Sequence, residues 1–311
     1  MDLLADVLAV SGVRGTIAAR VEAGDGWRYW NTSIHGAAFH AVTAGTAWLS
    51  LPGQPSIQLM PGDVVLLPTG ADHALSSDSG PVPRDQPEVV PADGGIYRIG
   101  TGPVRTHALC AHYRHDPAVS TQILTSLPDV VHIRADNAGG ALDDTIRLLA
   151  RELAHPQIAT EVVLDRLVDV LLVQLLRAWL AASPQPAGGS WLGVLSDPLI
   201  SAALTKLHGD PARSWTTETL AAEMAVSRAT LSRRFPAVVG VSPAGYLTRW
   251  RMDLASRRLR DTNDSLEAVA RSVGYTSVYA FSRAFSRARD QSPGRYRVAS
   301  RDQPSGDPVP H

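Results

Sequence analysis

The chain has 311 residues, of which 44% are hydrophobic and 19% charged. That length is long for one hydrophobic core and predicts two domains, and the composition excludes the disordered and fibrous classes. The single cysteine, Cys110, excludes an internal disulfide and fits a reducing cytoplasm. A balanced total of 29 Lys+Arg against 30 Asp+Glu hides an asymmetry. Residues 197–300 hold 16 Lys+Arg and 9 Asp+Glu, a net of +7, whereas residues 1–196 hold 12 and 19, a net of −7. Such polarity points to a polyanion partner for the basic half, or to a solvated basic surface.

In chain order, the opening "MDLLADVLAV" lacks a basic n-region and carries two aspartates, so no signal peptide is expected. Residues 39–51, "FHAVTAGTAWLSL", and 57–67, "IQLMPGDVVLL", read as strands of a β-sandwich or barrel. Residues 76–95, rich in Ser, Pro, Asp and Gly, read as a long mobile loop, and 96–113 return to strand character.

After Asp136 the period changes. Leu142, Ile146, Leu149 and Leu153 fall on one helical face, and Leu164, Leu167, Leu171, Leu175 and Trp179 on another. Two helices facing each other, or a second chain, would bury these stripes. The apolar run 162–182 contains Asp165, Arg166, Asp169, Gln174 and Arg177, which rules against a membrane span. The expected division is a sensor domain over 1–135, a helical connector or dimerisation segment over 136–182, and a linker over 183–196 around "SPQPAGGS". An all-helical domain over 197–300 and a disordered tail over 301–311 follow.

The helical domain repeats itself. Residues 227–246, "SRATLSRRFPAVVGVSPAGY", and 277–296, "SVYAFSRAFSRARDQSPGRY", share seven of twenty aligned positions, where chance would give about one. In the first copy Ser227 is a good N-cap, Leu231 and Phe235 face inward, and Arg228, Ala229, Ser232 and Arg233 project outward. In the second, Ser277 caps, Phe281 and Phe285 face inward, and Val278, Tyr279, Ser282, Arg283 and Arg287 project. Two short helices joined by a tight turn, the second polar and basic, make a helix-turn-helix shaped for the DNA major groove. Arginine can pair bidentately with guanine, and serine approaches phosphate or base. A connecting helix of some 17 residues spans about 25 Å, enough to set two reading helices on successive major grooves about 34 Å apart.

Residues 215–297 closely resemble the DNA-binding domain of the AraC/XylS family of bacterial transcriptional regulators, most densely in "AVARSVGYTSVYAFSRAFSRARDQSPGRYR". Against the family pattern, Ala225 and Asp290 stand where glycine is common, and Pro236 predicts an end or bend in the first reading helix. In the other half, "GDVVLLPTGADH" (62–73) with "AAFHAVTAGTAWLSL" is similar to a cupin-like sensor domain found in one branch of the same family. The implied fold class is α+β: a cupin-like β-barrel with following helices, then an all-α domain with two helix-turn-helix units.

Metal-binding cupins add a His-x-His pair and a Glu, but here Ala38 and Asn31–Ile34 occupy those places. His40 could meet His73 inside the barrel, with Cys110 or His112 as a further partner. Together with Trp48 these are the candidate effector-binding residues, read either as packed barrel residues or as a rebuilt metal or thiol-sensing site. No metal, cofactor or catalytic residue is assigned.

The resemblance implies a sequence-specific DNA-binding regulator, more commonly an activator, whose barrel senses a small molecule or stress. The implied partners are double-stranded DNA, RNA polymerase, a small-molecule effector and a second copy of the chain as a homodimer, with no membrane and a cytoplasmic location. Two other readings stay open: a metal-dependent cupin enzyme tethered to DNA, and an architectural DNA binder with a purely dimerising barrel.

Overall fold

The computed structural model describes residues 3–32, 34, 36–81, 91–92, 96–114, 124, 127–137, 139–182, 194 and 197–302. The described residues form two compact units, one of 13–182 and one of 3–12 with 194 and 197–302.

The first unit is sheet-rich. Its strands are β1 (Arg14–Asp25), β2 (Arg28–Asn31), β3 (Ala37–Ala44), β4 (Ala47–Ser50), β5 (Ile57–Leu59), β6 (Val64–Leu67), β7 (His73–Ser76), β8 (Pro91–Ala92), β9 (Ile96–Ile99), β10 (Thr101–Arg114) and β11 (Val131–Ile133). They build a seven-stranded sheet in the order β11-β6-β3-β10-β1-β9-β8 and a four-stranded sheet in the order β2-β7-β4-β5. A single core joins the two, including Val42, Val65, Leu67, Ala108 and Cys110 from the large sheet and Leu49, Leu59 and Leu75 from the small one. β1 and β2 escaped the sequence reading. β1 is hydrogen-bonded along both edges, to β10 and β9, and its small and charged residues follow no alternation of burial that the sequence could reveal. Of the expected loop 76–95, Ser76 closes β7 and Pro91–Ala92 forms β8. Residues 82–90 and 93–95 lie outside the described residues, as does nearly all of the expected linker.

Helices α2 (Gly139–Ala154) and α3 (Thr160–Ala182) complete this unit. Close approach of α3 to the sheet requires glycine: a Cβ on Gly15 would sit 2.2 Å from Val168 Cγ1. The contact is fixed by polar bonds as well. Gly15 N–H donates to Asp169 Oδ1 at 2.8 Å, and the Tyr113 hydroxyl donates to the Val168 carbonyl at 3.0 Å. The expected stripe of α2 is buried throughout. That of α3 is shifted: Leu164, Leu171 and Leu175 are buried, but Leu167 and Trp179 are only half-buried, and Val168, Leu172 and Leu176 join the core. A helix covered by both α2 and β1 needs a wider apolar face than one row supplies.

The second unit is helical: α1 (Leu3–Ser11), α4 (Pro198–Gly209), α5 (Thr217–Glu223), α6 (Arg228–Val239), α7 (Pro243–Asp261), α8 (Leu266–Ser272), α9 (Val278–Arg289) and α10 (Pro293–Asp302). α1, expected within the sensor domain of 1–135, clusters with the helical unit. Its Leu3, Leu4, Val7 and Val10 are buried, it packs against α4 and α7, and Asp6 Oδ2 lies 3.3 Å from His208 Nδ1. Apolar spacing of three and four gave it a face to bury, and the nearest apolar surface belongs to the helical unit.

Pro236 does not end its helix, which runs on to Val239, where the Gly240 N–H donates to the Pro236 carbonyl at 2.9 Å. Proline removes one N–H but leaves its own carbonyl free to continue the ladder. Arg301, expected in the tail, is held in α10: its guanidinium donates to Asn263 Oδ1 at 2.9 Å and to the carbonyls of Leu259 and Thr262. Residues 303–311 lie outside the described residues.

Candidate nucleic-acid interface and the barrel interior

Each half of the repeat builds a short helix, a turn and a capped second helix. Thr216 and Thr219 make a reciprocal capping box at α5, and Ser227 Oγ accepts from the Thr230 N–H at 3.1 Å at α6. Ser265 does the same for α8 at 3.2 Å and Ser277 for α9 at 3.4 Å. These side chains satisfy amide groups that a helix start leaves without partners. Leu231, Phe235, Phe281 and Phe285 are fully buried and pin the second helix of each pair to its own core.

The turns differ. Ala225, just past α5, has φ 53, and Gly274, just past α8, has φ 83. These equivalent residues are 49 positions apart, whereas the caps Ser227 and Ser277 are 50 apart, so the second turn is one residue longer. Gly274 is also held by space: a Cβ would sit 2.7 Å from the Ala212 carbonyl oxygen. At the far ends of α6 and α9, Gly240 (φ 81) and Asp290 (φ 52) occupy aligned C-cap positions. Both residues that replace the family's common glycine are therefore left-handed, a conformation costly for alanine and more tolerable for aspartate.

Arg228, Ala229, Ser232 and Arg233 are exposed on α6, and Arg228 Nε lies 2.7 Å from Glu218 Oε1. On α9, Tyr279 is 72% exposed and Arg283 and Arg287 are exposed. The Arg283 guanidinium sits 5.8 Å from the centroid of the Tyr279 ring, a cation–π pairing that orients both side chains. Val278 corrects the sequence reading. It is half-buried and packs on the core of Met252, Val269, Phe281 and Phe285, because side chains of a first helical turn lean back toward the preceding segment. Ser282 is half-buried as well. The sequence reading also missed Arg289. Its side chain is 6% exposed and pairs with Asp253 on α7, and its Nε donates to Ser256 Oγ at 3.0 Å. One signal was available, since the aligned residue of the first copy is Val239.

Inside the sheet unit, His40 on β3 and Cys110 on β10 are direct cross-strand partners, and His73 comes from β7 of the facing sheet. All three are buried. His73 Nδ1 lies 2.7 Å from the Ala71 carbonyl, His73 Nε2 lies 2.7 Å from His40 Nε2, and His40 Nδ1 lies 3.0 Å from Cys110 Sγ. Those contacts fix the protons. A carbonyl only accepts, so His73 Nδ1 carries a hydrogen and its Nε2 accepts from His40. His40 Nδ1 is then an acceptor, and the Cys110 S–H donates to it.

Burial keeps the chain neutral. It holds His40 well below the ordinary histidine value, with His73 and His112 adding to the effect. Burial also lowers His73 against the opposing pull of the Ala71 carbonyl, and pushes Cys110 up to about 12. His112, lowered by burial and by Arg114, sits two residues beyond Cys110. Tyr29, pushed up to about 12 by burial and then by Cys110, is a neighbour that the sequence reading did not name. The structure does not bring Trp48 to this group: its neighbours Ala47 and Leu49 enter the core, so Trp48 is on the opposite face of β4.

The three side chains form a line rather than a claw. Cys110 and His73 meet opposite edges of the His40 ring, so they do not converge on one ion, and among the described residues no three His, Cys, Asp or Glu side chains are placed to hold a metal.

Residues 2–181 match the Cupin family and residues 220–299 a helix-turn-helix domain family. The chain is 38% identical over 300 residues to a putative AraC-like transcription regulator of Streptomyces lividans, covering 96% of this chain and 98% of that one. It is 30% identical over 303 residues to the HTH-type transcriptional regulator MtrA of Neisseria gonorrhoeae, with coverage of 96% and 98%. It is 27% identical over 306 residues to the RCS-specific HTH-type transcriptional activator RclR of Escherichia coli, with coverage of 96% and 97%. With a cupin domain ahead of two helix-turn-helix units, the chain belongs to the AraC-like transcription regulators.

Proposed function

We propose that this regulator reads double-stranded DNA through α6 and α9, with Arg228, Ala229, Ser232 and Arg233 serving one major groove and Tyr279, Ser282, Arg283 and Arg287 the next. The observation that carries this reading is the repeated unit itself: two capped helices, each with an exposed arginine six residues after its cap, braced on the single helix α7. Phosphate contacts from the surrounding arginines hold register, and the outward side chains of α6 and α9 read bases.

The sheet unit is the sensor in this reading, with a small-molecule effector acting at the Cys110–His40–His73 line. An effector must bind one arrangement of the protein better than another, or it shifts nothing. A homodimer through the helices of the sheet unit, contact with RNA polymerase and activation as the outcome complete the proposal. The Escherichia coli relative RclR is a transcriptional activator, which supports that sign. No helix among the described residues is long and apolar enough to cross a membrane, which is compatible with a cytoplasmic site of action.

Selection of bound duplexes from a randomised pool, followed by protection mapping, tests the central claim. Protection of two successive major grooves on one face is expected. Protection confined to one groove, or recovery of no preferred sequence, overturns it.

A further inference from the structure

We infer that Asp253 and Arg289 are positioning residues for DNA reading, setting the pose of the second reading helix from a site turned away from solvent. The inference rests on the assignment of α9 as a reading helix.

Arg289 is in the last turn of α9, and Asp253 lies within α7, the helix that braces both halves of the repeat. Their side chains are 6% and 9% exposed, so the pair is withdrawn from the surface that carries Tyr279, Arg283 and Arg287. Arg289 also donates through Nε to Ser256 Oγ, itself fully buried, and through Nη1 to the Ala288 carbonyl at 3.3 Å. A guanidinium is a planar fork whose donors have fixed directions. Satisfied on two edges by Asp253 and Ser256, one turn apart on α7, it fixes the rotation of α9 about its own axis as well as its distance. Apolar contacts alone do not supply that direction, because burial energy is insensitive to orientation.

The first half lacks the device. The aligned residue is Val239, and the ion pairs that tie α6 to its surroundings, Arg234 with Asp197 and Arg228 with Glu218, hold arginines that are 51% and 70% exposed. Exposed pairs are screened by salt and water. The second helix is thus held in one orientation, and the first is held more loosely.

A buried ion pair is weak evidence for stability, since apolar replacements of similar volume often serve as well. Its two-edged geometry fits orientation better than strength, and the two roles separate experimentally. The test uses the full chain and the duplex that the wild-type protein selects, with single-base changes placed under either half. Asp253→Asn, Arg289→Lys and the apolar double variant Asp253→Leu/Arg289→Met are compared with wild type for base discrimination and thermal midpoint. The expected result is a loss of discrimination of about tenfold under the second half only, one good base contact being worth about that much. The double variant should recover the thermal midpoint and still discriminate poorly.

Unchanged discrimination under the second half in the double variant overturns the inference, as does an equal loss under both halves. If a single variant fails to fold, the double variant still decides. A wild-type chain that selects no sequence refutes DNA reading itself, a failure distinct from one seen only in the variants.

Discussion

The Nε2 atoms of His40 and His73 lie 2.7 Å apart and join the two sheets by a hydrogen bond between buried rings. Because the His73 Nδ1–H is committed to the Ala71 carbonyl, proton positions follow along the line to Cys110. His40→Leu would leave both Cys110 and His73 without their partner. Each orphaned buried group costs about 1–3 kcal/mol, so this variant should lower the urea midpoint of the sheet unit more than Cys110→Ala, which deletes only an end of the line. Equal midpoints for the two variants would refute a continuous line.

A second prediction concerns pH. His40, His73 and His112 are held below the ordinary value of 6.5, and His208 in the helical unit is lowered to about 4 by burial despite Asp6. A depressed histidine stays neutral in the folded state while the unfolded chain takes up its proton, so stability is full above pH 6.5 and falls as pH drops toward the folded value. For His208 the window runs from 6.5 down to about 4, with a loss on the order of 2–3 kcal/mol at its lower end. Melting curves between pH 7.5 and 4 check the sign. His208→Gln should flatten the slope in the helical unit, and stability rising as pH falls through this window would contradict it.

The left-handed residues give a third prediction. Ala225→Gly relieves a backbone conformation that costs alanine about 1 kcal/mol and should raise the midpoint of the helical unit. Asp290→Gly should gain less, since aspartate tolerates this region. Gly274→Ala should do the reverse and cost about 2 kcal/mol or more, because it adds a steric clash at 2.7 Å to the backbone strain. Denaturant titrations of the three variants should fall in that order.

The fourth prediction concerns DNA. Arg233→Ala and Arg283→Ala should each cost about 1–3 kcal/mol of specific binding and relax selectivity at one position. Affinity should also fall steeply with salt. Tyr279→Ala should weaken the effect of Arg283, whose guanidinium is oriented over that ring. Uniform loss on every sequence would mean that these arginines only hold phosphates.

The repeat was legible because its signals are local. Serine caps, inward pairs four residues apart and a left-handed turn residue all act within one or two turns of helix, and the chain displays them twice. The expected meeting of His40 with His73, and of either with Cys110, could be raised from strand alternation, since residues two apart share a face. What the alternation could not supply was direction. Whether three polar side chains converge on an ion or run in a line depends on which ring edge each partner meets, and that is set by the packing of two sheets.

The same limit explains the other differences. α1 precedes the first strand in sequence, yet which apolar surface it covers is settled by the packed helical unit. Val278 was read as exposed from its place in the repeat, but it is half-buried against the core of Met252, Val269, Phe281 and Phe285. Arg289 went unnamed in the sequence because its partners, Asp253 and Ser256, lie more than 30 residues away on α7. The sequence by itself determined the two-part architecture, the doubled helix-turn-helix and its exposed arginines, because these depend on periodicity and caps. Tertiary structure decided which polar groups are buried together, because burial brings groups far apart in the chain into one low-dielectric environment, where each must find a partner.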